Sequence, residues 1–383
     1  STRRLSRLQV QQAMTDIKRF AESRLEHDLH LTKHCTPLAF MSGTGVNDEL
    51  DGSESKSAVK FVVPNEDIPR GLVAKQQQQQ PQQEDIDDSN HDDSQPAQKM
   101  TTTKPDYSME CEIVQSLAKW KRIMLQRLDV PVGHGIYCDS TSIRKGYKGD
   151  TTHSVVADQW DFEIRMTAEQ RSVDKLKSWV TTIYKIITDA EDMIVPKYPQ
   201  IVPFDDEWRL PKTIHFLTSD ELHEEFPNLD VHDRETAACR KYGAIFIIGM
   251  GWPLRDGSQA EEIRSPSYDD WNLNGDIIVL HPRTKYRHEL SSMGIRVDAT
   301  SLREQLEHRN MLHETTLDFQ RAVLNDELPL SYGGGIGISR LMMLLLRTCH
   351  IGEVQCGVWH SEHYKQAIAA GIDMIPDRIL NIE

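Results

Sequence analysis

The sequence predicts an α+β fold, a mainly antiparallel sheet flanked by helices, and three observations carry that prediction. Short runs of strand type, "GAIFIIGMG", "GDIIVL" and "HELSSMGIRVD", cluster late in the chain and do not alternate regularly with crossover helices. Long stretches elsewhere repeat apolar residues at helical spacing and can cover such a sheet. No internal repeat and no break in composition divides the 383 residues, so one domain spanning 1–383 is expected.

The elements follow in order. Residues 5–28 set Leu5, Leu8, Ile17, Phe20 and Leu25 at helical spacing, and "HLTKHCTPLAF" then leads into a strand or loop. Residues 64–107 hold "KQQQQQPQQEDIDDSNHDDSQPAQ", which has almost no apolar content. Such composition cannot bury enough surface to offset the entropy of ordering, so a disordered Gln/Asp-rich insertion in a surface loop is expected. "MECEIVQSLAKWKRIMLQRL" reads as a short strand and a helix, and "HSVVADQWDFEIRM" alternates as a strand does. Residues 172–194, with Val173, Leu176, Trp179, Val180, Ile183, Ile187, Ala190 and Ile194, form an amphipathic helix. Residues 300–325 read as one polar-rich helix. Last, "SYGGGIGISR" ends a strand and leads into the final long helix.

Composition narrows the function. Hydrophobic residues are 38%, charged residues 27%, and the formal net charge is −15. Residues 76–104 carry six acids against Lys99 and Lys104, a net of −4, which leaves −11 on the rest. Nucleic-acid binders need a basic footprint to neutralise phosphates, and none is visible, so no nucleic acid is expected as a partner. The six cysteines show no CxxC pair or zinc-ligand spacing and read as reduced intracellular thiols. No run of about 18 apolar residues exists, so no membrane partner and a cytoplasmic location are expected.

Three constellations can carry chemistry. The glycines of "GGGIGISR" (Gly333, Gly334, Gly335, Gly337) fit neither the P-loop nor the GxGxxG pattern. They leave a strand with no side chains to obstruct a flat ligand, followed by Arg340 at a helix start, which suits adenine or a phosphate. A tight strand-to-helix turn packed under a neighbouring helix accounts for them equally well. In "DQWDFE", alternation puts Gln159, Asp161 and Glu163 on one face and Trp160 and Phe162 on the other. The polar face is either wet, as in an ordinary half-exposed strand, or holds a polar ligand. In "GDIIVL…HELSSMGIRVD", Asp276 ends a glycine turn and Glu289 starts a strand with Ser291 following on the same face. Two such carboxylates are hard ligands for Mg²⁺, and Arg296 pairing with them is the competing reading.

Taken together, these segments resemble a known family. "GGGIGISR" is similar to the third signature motif of class II aminoacyl-tRNA synthetases, "QSLAKWKR" and "DQWDFE" to segments of the aspartyl and asparaginyl branch, and "GDIIVL…ELSSMGIR" to its acid-bearing strands. With "VNDELDGSE", "HSVVADQWD" and "RSPSYDDW", the order resembles the ammonia-dependent asparagine synthetase A family, from residue 5 to about 360. The resemblance implies a class II synthetase-like catalytic core that converts L-aspartate, ATP and ammonia to L-asparagine, AMP and pyrophosphate through a β-aspartyl-adenylate. The competing readings are an aspartyl- or asparaginyl-tRNA synthetase-like activating paralogue, a non-catalytic paralogue and a glutamine-dependent synthetase.

The resemblance also assigns roles. Arg144 would steady the α-phosphate, Arg340 would hold the triphosphate, and Asp276 and Glu289 would carry Mg²⁺. Gly333, Gly335 and Gly337 would let adenine approach the backbone. Asp48, Ser116, Lys121, Gln159, Asp161, Asp269 and Ser292 would form the aspartate pocket, with Asp48 taking the proton from ammonium. A homodimer through the helix at 5–28 is expected on the same ground.

Overall fold

The computed structural model describes residues 5–48, 57–63, 108–147, 149–202, 208–259 and 264–375. The insertion expected at 64–107 lies outside the described residues. Eight strands make one large sheet in the order β1 (Leu31–Lys33), β5 (Gly135–Ile143), β6 (Val156–Arg165), β11 (Ser331–Gly337), β10 (Arg287–Arg296), β9 (Asp269–Leu280), β8 (Ala244–Ile248) and β7 (His215–Thr218). Every pairing from β5 across to β8 is antiparallel, and only the outermost pairs, β1–β5 and β7–β8, are parallel. A small antiparallel sheet runs β2 (Ala39–Met41), β4 (Met109–Ile113), β3 (Lys60–Val63).

One face of the large sheet is oily because alternate residues of its strands are. Trp160, Phe162, Ile164, Ile277, Val279, Met293, Ile295, Tyr332 and Ile336 all point into the same buried core. Two long helices cover much of this face. Helix α1 (Arg7–Asp28) starts at a capping box in which Ser6 and Gln9 exchange side-chain and backbone bonds, and it buries Ala13, Ile17, Ala21 and Leu25. After α2 (Ala118–Arg127), helix α3 (Val173–Lys197), capped by Ser172, buries Leu176, Val180, Ile183, Ile187, Ala190 and Ile194. Trp179 of α3 stacks on Tyr332 at 4.2 Å between ring centroids. Burying each such large apolar side chain is worth about 1.5–3 kcal/mol, so this face anchors the sheet. Helices α4 (Ser219–Glu225) and α5 (Val231–Tyr242) close the β7–β8 edge over a second apolar cluster that includes Leu222, Cys239, Ile245 and Ile247.

Four expectations give way here. Residues 300–325 form two helices, α6 (Ala299–His308) and α7 (Asp318–Leu324), separated by a 3₁₀ turn at Leu312–Thr316. The break falls at Asn310, whose φ of 56° is left-handed, with Met311 N–H reaching back to Leu306 O as in a Schellman stop. The helix after the glycines, α8 (Ile338–Leu345), is only eight residues long and ends at the left-handed Arg347; α9 (Ser361–Ala369) follows. Asp276 does not end a turn but lies inside β9, because Gly275 is there for close approach: a side chain would strike Ile247 O and the Phe246 ring. Finally, the pairing of β10 with β9 slips between Glu289 and Ser291, so Leu290 is an extra residue in a bulge. Leu290 and Ser291 therefore turn to the oily side, and Ser292, not Ser291, shares the face of Glu289 and Asp276.

The small sheet fixes where the described chain stops before residue 64 and resumes at residue 108. Val63 pairs with Met109 across β3 and β4, so the chain ends bracketing residues 64–108 already meet as a hairpin. Replacing that segment with a short type I′ turn should leave kcat within twofold of the parent and the melting midpoint equal or higher. Each halving of loop length lowers the closure cost by about 0.6 kcal/mol. A several-fold loss of kcat in the shortened protein, measured beside the parent, would give the segment a functional role.

Candidate active site

The opposite face of the sheet is charged. Alternation along β6 puts Gln159, Asp161 and Glu163 there, next to Ser140 of β5, and β10 adds Glu289, Ser292 and Arg296. Helix α2 lies over β6 and β11 on this side and sends Lys121 down to the sheet.

Lys121 is fully buried, and its ammonium donates to Asp161 Oδ1 at 2.9 Å, Phe162 O at 3.0 Å and Gly334 O at 3.2 Å. All three of its donors are thus placed. The other oxygen of Asp161 accepts from Ser140 Oγ at 2.6 Å and from the Gln159 amide at 2.8 Å. Beside this cluster, Arg296 forks onto Glu163 at 3.0 and 2.7 Å and reaches Asp269 with its remaining nitrogen. The pairing of Arg296 with Asp276 and Glu289 does not occur. Its partners are Glu163 and Asp269, because the second β10 slip, between Gly294 and Arg296, sets Arg296 opposite Asp269. Burial pushes the Asp269 carboxyl up, against the pull of Arg296.

The predicted carboxylate pair is assembled, each member with an arginine. Asp276 is bound by Arg264, which also donates to Ser292 Oγ at 3.1 Å. Burial pushes the Asp276 carboxyl up, Arg264 pulls it back, and the Glu289 charge pushes it up again. Burial also acts on Glu289, but Arg340 first and then Arg287 outweigh it and hold that carboxyl well below the usual range. Arg340 donates to Glu289 Oε1 at 3.0 Å, and its other nitrogen meets His153 Nε2 at 2.7 Å. His153 Nδ1 in turn sits 2.9 Å from Asp150, so the ring donates to Asp150 and accepts from Arg340. Arg340 follows the turn from β11 into α8, whose start is fixed by Asp158 accepting from Ser339 Oγ at 2.7 Å. His288 donates to the Arg340 carbonyl at 2.8 Å, and burial holds its pKa down to about 3, so it stays neutral at working pH.

The glycines divide by role. A side chain at Gly333 would collide with Glu163 and Arg296, and one at Gly335 with the Gln159 amide, so both make room for the charged face. A side chain at Gly337 would only come into van der Waals contact with the Arg340 stem. Arg144 follows β5 with its N–H on Val155 O, which fixes the register of a position that the sequence left in a loop. Its guanidinium donates to Tyr147 Oη at 3.3 Å, while its Nε is buried without a partner. Ser116 accepts from Ala118 N–H at the start of α2. Asp48 is buried, accepts from Ser265 Oγ at 2.8 Å and lies 3.4 Å from the Lys119 ammonium. Lys119 and Lys121, which read singly as solvated charges, are both interior.

Sequence reasoning did not single out Arg264, His153, Asp150 or Ser140. Arg264 and His153 do stand at the heads of "RSPSYDDW" and "HSVVADQWD", but an isolated Arg or His carries no spacing signal of its own.

Comparison with known proteins identifies the family and the fold. A family model described as Aspartate-ammonia ligase matches residues 77–371. The chain is 37% identical over 358 residues to an aspartate–ammonia ligase of Clostridium perfringens, covering 94% of this chain and 92% of that one. It is 39% identical over 351 residues to one of Bacillus cereus (92% of each) and 37% identical over 371 residues to one of Malacoplasma penetrans (97% and 99%). Among solved structures, the asparaginyl-tRNA synthetase of Entamoeba histolytica in complex with asparaginyl-adenylate aligns with a TM-score of 0.57 at 14% identity, over 91% of this chain and 66% of that one. The Pyrococcus horikoshii asparaginyl-tRNA synthetase aligns with a TM-score of 0.57 at 11% identity, over 90% and 67%. The chain thus spans about two thirds of those synthetases, and at this identity they show its fold, a class II synthetase-like core. On the sequence matches, the chain belongs to the aspartate–ammonia ligase family.

Proposed function

We propose that this chain, acting as one catalytic domain, makes L-asparagine from L-aspartate, ATP and ammonia, releasing AMP and pyrophosphate in asparagine biosynthesis. The observation that carries the reading is the oriented Arg340, held by Glu289 and His153 at the end of a glycine strand and facing the charged side of the sheet. A carboxylate is a poor electrophile, since its leaving group would be an oxide. Attack of the aspartate β-carboxylate oxygen on the α-phosphorus forms an acyl–phosphate bond and breaks the bond to pyrophosphate. Ammonia then attacks the acyl carbon, and AMP leaves with the acyl–oxygen bond pair.

The residues act by placement and charge. Arg340 holds the β- and γ-phosphates and then the departing pyrophosphate. Arg144, with a buried donor still unassigned, takes the α-phosphate. Gly335 and Gly337 flank the adenine. Lys121, Asp161, Gln159, Ser116, Asp269 and Ser292 shape the aspartate pocket, with Arg296 behind it. Asp276 and Glu289 fit a divalent cation: they share one face, their charges repel, and their oxygens are hard donors of the kind Mg²⁺ takes. Bound there with phosphate oxygens and water, Mg²⁺ would screen the phosphate charge. Among the described residues no group of three or more acids, histidines or cysteines could hold a metal ion.

A homodimer through α1 and a cytoplasmic location belong to the same proposal, as do small-molecule partners without nucleic acid. No helix among the described residues is long and apolar enough to cross a membrane. The test is product analysis. Aspartate, Mg-ATP and ammonium should give asparagine with equimolar AMP and pyrophosphate. ADP and phosphate as products would sink the adenylate route, and AMP formation only with added tRNA would favour the synthetase alternative.

A further inference from the structure

Next to the aspartate cluster is a small cavity of about 110 Å³, to which Asp48, Arg264, Ser265, Glu314 and Gln320 contribute. Arg264 makes the connection to the site, since the same side chain reaches Asp276 and Ser292, and Asp48 is the residue of the wall to which the sequence assigns a role. None of Lys121, Gln159 and Asp161 lines it, so it lies beside the aspartate pocket and is distinct from it.

The chemistry of its wall is lopsided. Asp48 is 3% exposed and Gln320 is 0% exposed, yet Asp48 Oδ2 and Gln320 Oε1 have no hydrogen-bond partner. The Gln320 amide cannot simply be turned round, because its nitrogen donates to Glu314 Oε2 at 3.0 Å, which aims its oxygen toward Gly45. Gly45, at φ +71°, leaves the room that oxygen needs. Glu314 also accepts from Ser267 Oγ at 3.2 Å. The cations present do not cancel this surplus. Arg264 is committed to Asp276, and Lys119 sits on Asp48 Oδ1, not Oδ2. Half-buried Arg309 also lines the cavity, as does Glu112, and it makes no hydrogen bond to Asp48 Oδ2 or Gln320 Oε1. Leaving two buried acceptors unmet costs about 1–3 kcal/mol each, so the cavity calls for a small molecule rich in donors. An anion would add acceptors to acceptors. Ammonium offers four donors, no acceptor and a positive charge.

We propose that this cavity is the nitrogen-donor subsite, a reading that rests on the ligase function above. Ammonium is held by Asp48 Oδ2, Gln320 Oε1 and the Glu314 carboxylate. It passes one proton to Asp48, and the ammonia left behind uses its lone pair on the β-acyl carbon of the adenylate. The carbon–nitrogen bond forms as the acyl–oxygen bond to AMP breaks, and a second proton leaves to solvent. Gln320 and Glu314 are positioning residues in this scheme: they touch the donor before it reacts and have no part in making the adenylate.

That separation gives the test. Glu314→Gln and Gln320→Leu are compared with the parent in three assays: asparagine formation against ammonium, aspartyl-hydroxamate formation from hydroxylamine (neutral at assay pH), and aspartate-dependent ATP–pyrophosphate exchange, which needs no nitrogen donor. The expected result is a KM for ammonium raised about tenfold or more, the scale of one charge-assisted hydrogen bond. Exchange should stay within twofold, and hydroxylamine kinetics should change far less than ammonium kinetics. An unchanged ammonium KM would overturn the subsite, as would an equal loss in exchange, which assigns both residues to the adenylation machinery or to the fold. Should neither variant fold, the parent still decides. Potassium, close to ammonium in size, should raise the ammonium KM competitively where sodium at equal ionic strength does not, and identical effects of the two salts overturn the proposal. A parent with no exchange at all removes the ligase reading itself, an outcome distinct from both.

Discussion

Replacing Arg340 by alanine should lower kcat by about 10²–10³-fold, the loss typical when one preorganised group for developing charge is removed. The side chain is held from two sides, by Glu289 at 3.0 Å and His153 at 2.7 Å, so its orientation is set before substrate arrives. The fold should be nearly indifferent. Arg340 is 21% exposed in its side chain, and partly exposed ion pairs contribute only about 0–1 kcal/mol. Lysine should not restore the rate, because a point charge cannot reproduce a planar fork that meets Glu289 and a phosphate together. Steady-state kinetics beside a thermal melt check this. A variant with normal turnover would remove the phosphate role from the whole glycine segment.

The second large effect concerns stability. Arg296→Met strips the guanidinium from between Glu163 and Asp269, both almost wholly buried, and should cost about 3–5 kcal/mol in chemical denaturation. The pH dependence identifies the cause. Burial already pushes Asp269 up while Arg296 opposes it, and the variant loses this largest counter-pull, leaving only the weaker one from Arg264. A carboxyl whose folded pKa lies above its unfolded value favours folding as it takes up its proton. The deficit of the variant should therefore be greatest at neutral pH and shrink as pH falls toward about 4, the unfolded aspartate value. A deficit constant across that range would point to lost packing in place of stranded charge.

The elements that were legible had sides that differ sharply in polarity. "DQWDFE" gave its faces because Trp160 and Phe162 enter the core while Gln159, Asp161 and Glu163 meet charge, and α3 gave itself through an unbroken apolar stripe. What escaped depended on one residue acting against its surroundings. Asn310 stops a helix that composition would continue, and Gly275 permits a close approach in what looked like a turn. Leu290 shifts β10 by one place, which no count along the chain reveals. The site was legible as a set of residue types and illegible as pairings. Which arginine meets which carboxylate follows from cross-strand register, and Arg264 and His153 come from segments with no periodicity.

The extra residue at Leu290 has a consequence for how this chain can vary over time. Because it resets which residues look outward, Glu289 and Ser292 share a side although three positions separate them. An exchange of one greasy side chain for another at this place keeps that phase, and lineages can drift through it freely. Losing or gaining a single codon between Glu289 and Ser292 would rotate a charged or polar side chain into the oil or the oil into the water in one event. In β10, descent is therefore far more tolerant of misspelling than of miscounting.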